Sequence, residues 1–310
     1  MKISKAPGYY SLAAFLLLVG GASAAEDQKS IYLFGVRASM AGFTPPPGFY
    51  ASSFTYLYKG DTANAAMSVK ANAVLDVVSL LWVSPDKLMG GTFGLGFYAP
   101  FGRQNVAVGI NPPPGGARVR VSDNTFSVGD PLALAFIGWQ AGNFHWKLTA
   151  MANVPLGRHS RRELANIGFN RWAADLTGSV TWIDPASKLE ISVSPGVMFH
   201  GENPDSRYRT GTEFHIEASV MHHVSQAFSF GLAGYHLRQL SGDRGAGAVF
   251  GPFKGEVSAI GPNLAYNFSV GGRPVYASLR WLHEFAAKNR LKGDAAFLTF
   301  TVPLAGMTAR

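Results

Sequence analysis

The chain has 310 residues, of which 47% are hydrophobic, 13% aromatic and only 15% charged, and its formal net charge is +8. This apolar content with a modest net charge excludes an intrinsically disordered chain, and the absence of cysteine excludes disulfides, Cys-ligated zinc and a cysteine nucleophile. Lysine and arginine are scattered singly rather than clustered, so we expect no nucleic-acid partner.

The N-terminus predicts export. Lys2 and Lys5 precede an apolar run over residues 12–19, and Ala22-Ser23-Ala24 provides the small residues of a cleavage site. The apolar run is shorter than the ~20 residues that a membrane-spanning helix needs. We therefore assign residues 1–24 to a signal peptide.

Residues 25–48 separate this signal peptide from the first predicted strand. The stretch from Ile31 to Pro47 is more hydrophobic than a free periplasmic tail should be, and it ends in three consecutive prolines. We expect that this N-terminal segment can serve as a plug for a barrel formed by residues 49–310.

The remainder of the chain reads as strands with a period of two. In 189–202, apolar residues such as Leu189, Ile191 and Val193 alternate with Glu190 and Ser192. This alternation indicates a strand whose two faces contact chemically different media. About twelve strands are predicted, with boundaries uncertain by a few residues. They lie near 49–58, 66–82, 88–99, 130–140, 144–153, 172–183, 189–201, 213–224, 228–239, 255–268, 274–285 and 294–303. A bulge is expected in the tenth strand at Gly261-Pro262.

The connections alternate in length. Those after even-numbered strands are tight turns, whereas most of those after odd-numbered strands are longer, notably 100–129, 154–171, 202–212 and 240–254. Short periplasmic turns and long external loops are typical of outer-membrane barrels. Tryptophans also cluster at strand ends, as interfacial girdles do. The sequence therefore predicts an all-β fold, a transmembrane up-and-down antiparallel β-barrel of the outer-membrane type.

The polar face of each strand would line the interior of this barrel. The candidate interior-lining residues are Asp175, Glu190, His200, Glu213, His215, Glu217, Tyr235, Gln239, Arg280 and Glu284. We also assign to this face Lys70, Asp76, His145, Lys147, His223 and Glu256. Charges of both signs in a narrow barrel should pair with one another. They could form a structural network, or some could line a polar conduit or a substrate site. No motif indicates a catalytic residue, a cofactor or a metal ion.

Ordered motifs over 130–304 resemble one known family. They are Asp130-Pro131, Asn166-x-Gly168-x-Asn170-x-Trp172, Asn203-Pro204-x-x-x-Tyr208-x-x-Gly211-x-Glu213-x-His215, Gly234-Tyr235-x-x-x-Gln239 with Asp243, Gly261-Pro262, and Glu284-x-x-x-x-Asn289-Arg290-x-x-Gly293. This pattern resembles the exported proteins associated with the meta-cleavage pathway of phenol degradation. The resemblance implies an outer-membrane barrel that helps aromatic or other hydrophobic compounds to enter the cell.

We therefore expect a bacterial outer-membrane channel or transporter for small hydrophobic compounds, aromatic ones in particular, that catalyses no reaction and needs no cofactor. Its partners would be outer-membrane lipid and lipopolysaccharide, the solute itself and the barrel-assembly machinery. One alternative is a closed structural or adhesion barrel. Another is a membrane-embedded lipid hydrolase or acyltransferase that uses His222 or His223.

Overall fold

The computed structural model describes residues 30–63, 67–110, 119–249 and 251–306. The predicted signal peptide and residues 25–29 lie outside these ranges. The described residues contain no helix that is both long and apolar enough to span a membrane.

Strands make up most of the described chain. They are β1 (Gly48–Ala63), β2 (Met67–Leu88), β3 (Gly91–Ile110), β4 (Val119–Val128), β5 (Leu132–Ala141), β6 (Phe144–Asn153), β7 (Ala173–Asp184), β8 (Leu189–His200), β9 (Glu213–His223), β10 (Phe228–Gln239), β11 (Glu256–Val270), β12 (Arg273–Lys288) and β13 (Lys292–Gly306).

The strands close into a barrel. β1 pairs antiparallel with β2 on one side and with β13 on the other, and every other ring strand pairs with its two neighbours. Closure leaves no open edge within this ring of strands, which is the condition for placing a sheet in hydrocarbon. The predicted fold class is confirmed.

One strand was not predicted. β3 pairs with β5 only over Thr92–Tyr98, and its remaining length, Phe101–Ile110, pairs with β4. Twelve strands therefore form the ring, and β4 folds back on the end of β3 as an outgrowth. The sequence of β4, VRVSDNTFSV, is polar enough to read as part of a long loop.

The two ends of the barrel differ. At the short-turn end the connections 89–90, 142–143, 185–188, 224–227 and 271–272 join consecutive strands, whereas at the long-loop end the connections include 154–172, 201–212 and 240–255. One connection at the long-loop end, 289–291, is also short, because β12 and β13 on either side of it extend further. Large apolar side chains such as Leu176, Leu232 and Ile260 are about half exposed on the outer surface.

The predicted bulge at Gly261-Pro262 is wrong. β11 keeps its alternation through these residues, and both pair in register with β10. The irregularity lies instead between β11 and β12, where Ser258 faces Ala286 while Ala259 faces Glu284. Phe285 is therefore the additional residue, and it belongs to β12 rather than to β11.

Candidate functional site

The N-terminal segment, residues 30–47, crosses the interior of the barrel. At the long-loop end the Ser30 hydroxyl donates to Glu213 Oε2 at 3.2 Å. Further along, the Gly42 N–H donates to Thr181 Oγ1 at 2.8 Å, close to the short-turn end. The chain then enters β1 at Gly48, which faces Val83 near that same end. The segment therefore runs through the barrel from one end to the other.

Glu217 of β9 holds the middle of the segment. Its Oε2 accepts the backbone N–H groups of Gly35 at 2.7 Å and Arg37 at 3.0 Å, and its Oε1 accepts the Tyr32 hydroxyl at 3.0 Å. Gly35 has a φ of 96°, a left-handed value that favours glycine. A tyrosine hydroxyl keeps its proton at neutral pH, so Tyr32 donates this hydrogen bond to the carboxylate.

Arg37 supplies the positive charge opposite this acidic surface. Its guanidinium lies 3.0 Å from Asp175 Oδ1 and 2.5 Å from Thr177 Oγ1. The other Asp175 oxygen lies 2.6 Å from Nε2 of His215, whose Nδ1 is 2.9 Å from the Tyr32 hydroxyl. Asp175 and His215 are fully buried, so removing Arg37 would leave a buried carboxylate poorly compensated.

Backbone groups of the segment bind the rest of the barrel interior. Glu190 Oε1 accepts the Met40 N–H at 2.6 Å, and its Oε2 lies 3.2 Å from His223 Nε2. Lys147 donates to the Phe43 carbonyl at 3.2 Å, and Arg280 donates to the Gly35 carbonyl. Together with Glu217 and Thr181, polar groups of five strands thus satisfy peptide groups that are removed from water.

All ten candidate interior-lining residues are buried. Six form polar contacts with the N-terminal segment, namely Asp175, Glu190, Glu213, His215, Glu217 and Arg280. The polar groups of the other four bind the barrel itself, although the Tyr235 ring also packs against Phe34 of the segment. His200 pairs with Glu213 at 2.9 Å, Tyr235 donates to Glu284 at 2.5 Å, and Gln239 donates to Asp243 at 2.5 Å. We expected the interior charges to pair with one another, and many bind the segment instead.

The assignment of Lys70, Asp76 and Glu256 to the interior is wrong. Glu256 is half exposed on the outer face of β11, because its neighbour Val257 is the residue that faces inward. On β2 the residues that face inward are Val69, Ala71, Ala73, Leu75 and Val77, and the alternate residues face outward. The Asp76 carboxylate accepts the Thr55 hydroxyl at 2.6 Å on the outer surface. Both faces of β2 carry apolar residues, so the alternation does not show which face points inward. The few charged residues of β2 therefore suggested the wrong inner face.

The interior therefore has two unlike walls. The inner faces of β7, β8 and β9, which we call the polar wall, carry acidic, histidine, serine and threonine side chains that are almost fully buried. The inner faces of β1, β2 and β3, which we call the apolar wall, carry aromatic and aliphatic side chains. The segment lies against the polar wall and leaves space beside the apolar wall.

That space is a cavity of about 360 Å³. Arg290 and Leu291 line it at the long-loop end, and Val77 and Leu134 line it deeper in the barrel. The segment contributes Ile31, Leu33, Phe34 and Val36 to its lining. The barrel contributes Phe54, Tyr56, Tyr58, Val69, Ala71, Ala73, Leu75, Tyr98, Val106, Val108, Leu132 and Met151.

Few polar groups border this cavity, and one of them, Glu284, is held by three hydrogen bonds. Its carboxylate accepts the hydroxyls of Tyr58 at 2.9 Å and Tyr235 at 2.5 Å and the Gly293 N–H at 2.7 Å. These bonds hold two tyrosine rings in fixed positions at the edge of the cavity. The remaining lining is apolar enough to receive an uncharged hydrophobic molecule.

Sequence reasoning missed the partners that the segment itself contributes. Tyr32 and Arg37 precede the first strand, and no strand alternation marks them. One signal could have found them: Arg37 is the one charged residue in the otherwise uncharged stretch 31–47. A single charge in a segment expected to be buried calls for a buried counter-charge.

Three motif residues of the long-loop end anchor loops. Asp130 accepts the side-chain amide of Asn153 at 2.9 Å and the N–H groups of Gly157 and Phe169 at 2.8 Å each. Asp243 accepts the Tyr208 hydroxyl at 2.6 Å. Asn203 accepts from the Asn170 side chain at 3.0 Å. These residues therefore shape the rim of the barrel.

The described residues bring together no group of three or more histidine and acidic side chains suited to a metal ion. His145 stacks on Phe43, whereas His200 and His215 bind Glu213 and Asp175 separately. His223 faces Glu190, and the His222 ring contacts Phe230 edge-on.

Solved structures with a similar fold are outer-membrane barrels. The COG4313 outer membrane channel from Pseudomonas putida F1 aligns with a TM-score of 0.69 and 16% identity, over 87% of this chain and 99% of that one. The β domain of the Bordetella autotransporter BrkA aligns with a TM-score of 0.49 and 11% identity, over 84% and 100% of the two chains. At 16% identity the match to the COG4313 channel shows a shared fold alone. No curated protein sequence matches the chain.

A family profile matches residues 56–300, which include β2 and β3 of the apolar wall, the polar wall and all three loop anchors. The match covers the ordered motifs from Asp130 to Gly293 that carried the resemblance in the sequence. The chain therefore belongs to the family described as "Putative MetA-pathway of phenol degradation".

Proposed function

We propose that this protein lets small hydrophobic compounds, aromatic ones in particular, cross the bacterial outer membrane. The observation that carries the proposal is the cavity of about 360 Å³ between the N-terminal segment and the apolar wall. Its size and lining suit an uncharged molecule with one or two rings. Membership of a family described by phenol degradation supports the aromatic class.

The same geometry disfavours ions and sugars as cargo. The acidic groups of the polar wall are occupied by the segment, through Arg37 and the peptide groups of Gly35 and Met40. A hydrated solute that entered the cavity would meet aliphatic and aromatic side chains and lose hydrogen bonds to water. A hydrophobic solute gains free energy in the same space.

The segment would act as a plug. The cavity extends from the long-loop end to Val77 and Leu134, and beyond it Gly42 and Phe43 lie against Thr181 and His145. A compound would therefore enter from the long-loop end, rest in the cavity and continue when the segment shifts. This proposal divides the chain into a signal peptide at 1–24, a plug at 25–48 and a barrel at 49–310.

The proposed location and orientation in the outer membrane follow from the same features. The signal peptide would direct export, the barrel-assembly machinery would insert the barrel into the outer membrane, and the long-loop end would face outward among lipopolysaccharide molecules.

The proposed function includes no reaction and no cofactor. Ser258 Oγ lies 2.8 Å from His236 Nδ1 on the outer surface, but Glu256 is 4.0 Å from the other ring nitrogen, beyond a hydrogen bond. This spacing would orient the imidazole poorly for a serine hydrolase.

A pair of substitutions on one strand tests the proposal. Ala73 faces the cavity, whereas its neighbour Val74 is half exposed on the outer surface. Uptake of radiolabelled toluene would be measured in cells that produce Ala73→Trp, Val74→Trp or the unchanged protein at equal surface levels.

We expect Ala73→Trp to reduce uptake to that of cells without the protein, because the indole would fill the cavity. We expect Val74→Trp to leave uptake unchanged. Equal uptake by all three proteins would contradict the pathway. A closed structural barrel would give no uptake above background even for the unchanged protein.

A further inference from the structure

A second recess lies on the outer surface, away from the cavity. It is a groove of about 410 Å³ at the long-loop end of β10, β11 and β12. Its floor and rim include Phe214, Arg238, Leu240, Lys254, Glu256 and Lys288. Strand pairing sets three of these side by side, because Arg238 pairs with Glu256 and Glu256 pairs with Lys288.

The groove is positively charged. Arg238, Lys254 and Lys288 contribute three cations and Glu256 one carboxylate. In the part of the chain that the structure describes, neither Arg238 nor Lys288 forms an ion pair. Lys254 donates to the Leu240 carbonyl at 2.6 Å, which fixes its ammonium group at the rim. Two cations therefore remain available to an anionic ligand.

An apolar surface lies toward the middle of the barrel, separated from the groove by the hydrogen-bonded pair His236 and Ser258. Leu232 and Ile260 are 55% and 51% exposed on the outer faces of β10 and β11, and Trp281 of β12 is 46% exposed. A ligand with an anionic head and acyl chains would match both parts at once. Guanidinium and ammonium groups bind phosphate well, and apolar strand surfaces bind acyl chains.

We propose that this groove binds a phosphate group of lipopolysaccharide. The long-loop end of an outer-membrane barrel faces the outside, where lipopolysaccharide forms the lipid leaflet. The phosphate would contact Arg238 and Lys288 on either side of the Glu256 carboxylate, whose charge would oppose binding, and the acyl chains would lie over Leu232 and Ile260. This site is independent of solute uptake through the interior.

Binding of fluorescent lipopolysaccharide to the detergent-folded barrel tests the site. The variant Arg238→Gln/Lys288→Gln removes the two unpaired cations, and Arg273→Gln removes an exposed arginine from the short-turn end of β12. Each cation near an anionic lipid surface is worth about fivefold in affinity, so the double variant should bind about 25-fold more weakly. Arg273→Gln should bind as the unchanged protein does.

Two further measurements keep the test independent of folding. Glu256→Gln removes the acidic group of the groove and should strengthen binding about fivefold. Enzymatic removal of phosphate from the lipopolysaccharide should weaken binding to the unchanged protein but not to the double variant. Each variant would first be shown to be folded by its heat-dependent migration in a gel.

Three results would overturn the proposal: equal affinity of the double variant and the unchanged protein, an equal loss in Arg273→Gln, or phosphatidylglycerol binding as tightly as lipopolysaccharide. The last result would mean that the groove accepts any phospholipid head group.

Discussion

The carboxylate of Glu217 should determine how firmly the N-terminal segment is held. It accepts three hydrogen bonds from the segment, two from the N–H groups of Gly35 and Arg37 and one from the Tyr32 hydroxyl. Glu217→Gln keeps the shape but removes the charge and one acceptor oxygen. A bond to a charged group contributes about 1.5–3 kcal/mol and a neutral bond about 1 kcal/mol, so three weakened bonds cost about 3 kcal/mol.

A loss of about 3 kcal/mol raises the population of the displaced segment about 100-fold, since 1.4 kcal/mol corresponds to a factor of ten. The chain contains no cysteine, so Ala38→Cys adds a single thiol at a position that is 1% exposed. Its rate of labelling by a water-soluble maleimide should follow the displaced population. We expect this rate to rise about 100-fold in Glu217→Gln.

The matched control is Glu202→Gln, which removes a carboxylate that pairs with Arg207 in the loop between β8 and β9. It should leave the labelling rate of Ala38→Cys unchanged. A rate in Glu217→Gln that stays within about threefold of the control would refute the idea that this carboxylate holds the segment, because that ratio corresponds to less than about 0.7 kcal/mol.

Two predictions concern the barrel itself. Val193 faces outward near the middle of β8. Val193→Arg should therefore lower the free energy of unfolding in phospholipid vesicles by about 2–4 kcal/mol. The control Met89→Arg, in the exposed turn between β2 and β3, should leave it unchanged. Urea titration measures both, and equal stability would contradict the assignment of the outer surface. Asp130→Ala removes the acceptor of three hydrogen bonds and should cost about 3 kcal/mol, against little change for the exposed Asp86→Ala. If protease cleaves 154–172 equally fast in both variants, Asp130 does not anchor that loop.

The sequence predicted best the strands whose two faces differ in polarity. For β6 to β10 the predicted bounds fall within one residue of the observed ones. Apolar and polar side chains alternate regularly in these strands, so the inward and outward faces can be told apart. The interior assignments of Asp175, Glu213 and Glu217 agree with their burial in the structure for the same reason.

The apolar wall could not be predicted in this way. β2 carries apolar residues on both faces, so a period of two does not reveal which face is inside, and Lys70 and Asp76 indicated the wrong one. The inner face is apolar because it borders the cavity rather than the segment. That asymmetry depends on where the segment lies across the barrel.

The hydrogen bonds that hold the segment could not be predicted from the sequence either. Glu217 binds the peptide groups of Gly35 and Arg37, and every residue except proline carries such an N–H. Side-chain types therefore leave no trace of these bonds. The alternation did predict that Glu217 lies inside, but only the three-dimensional path of the segment identifies its partners.

The most direct test of the uptake pathway is to locate a bound aromatic molecule. Crystals of the protein soaked with 4-bromophenol would be measured at the bromine absorption edge. We predict an anomalous peak inside the barrel, between Phe34 of the segment and Tyr98 of β3, both of which line the cavity. A bromine peak found only on the outer surface, or only along the polar wall, would contradict it.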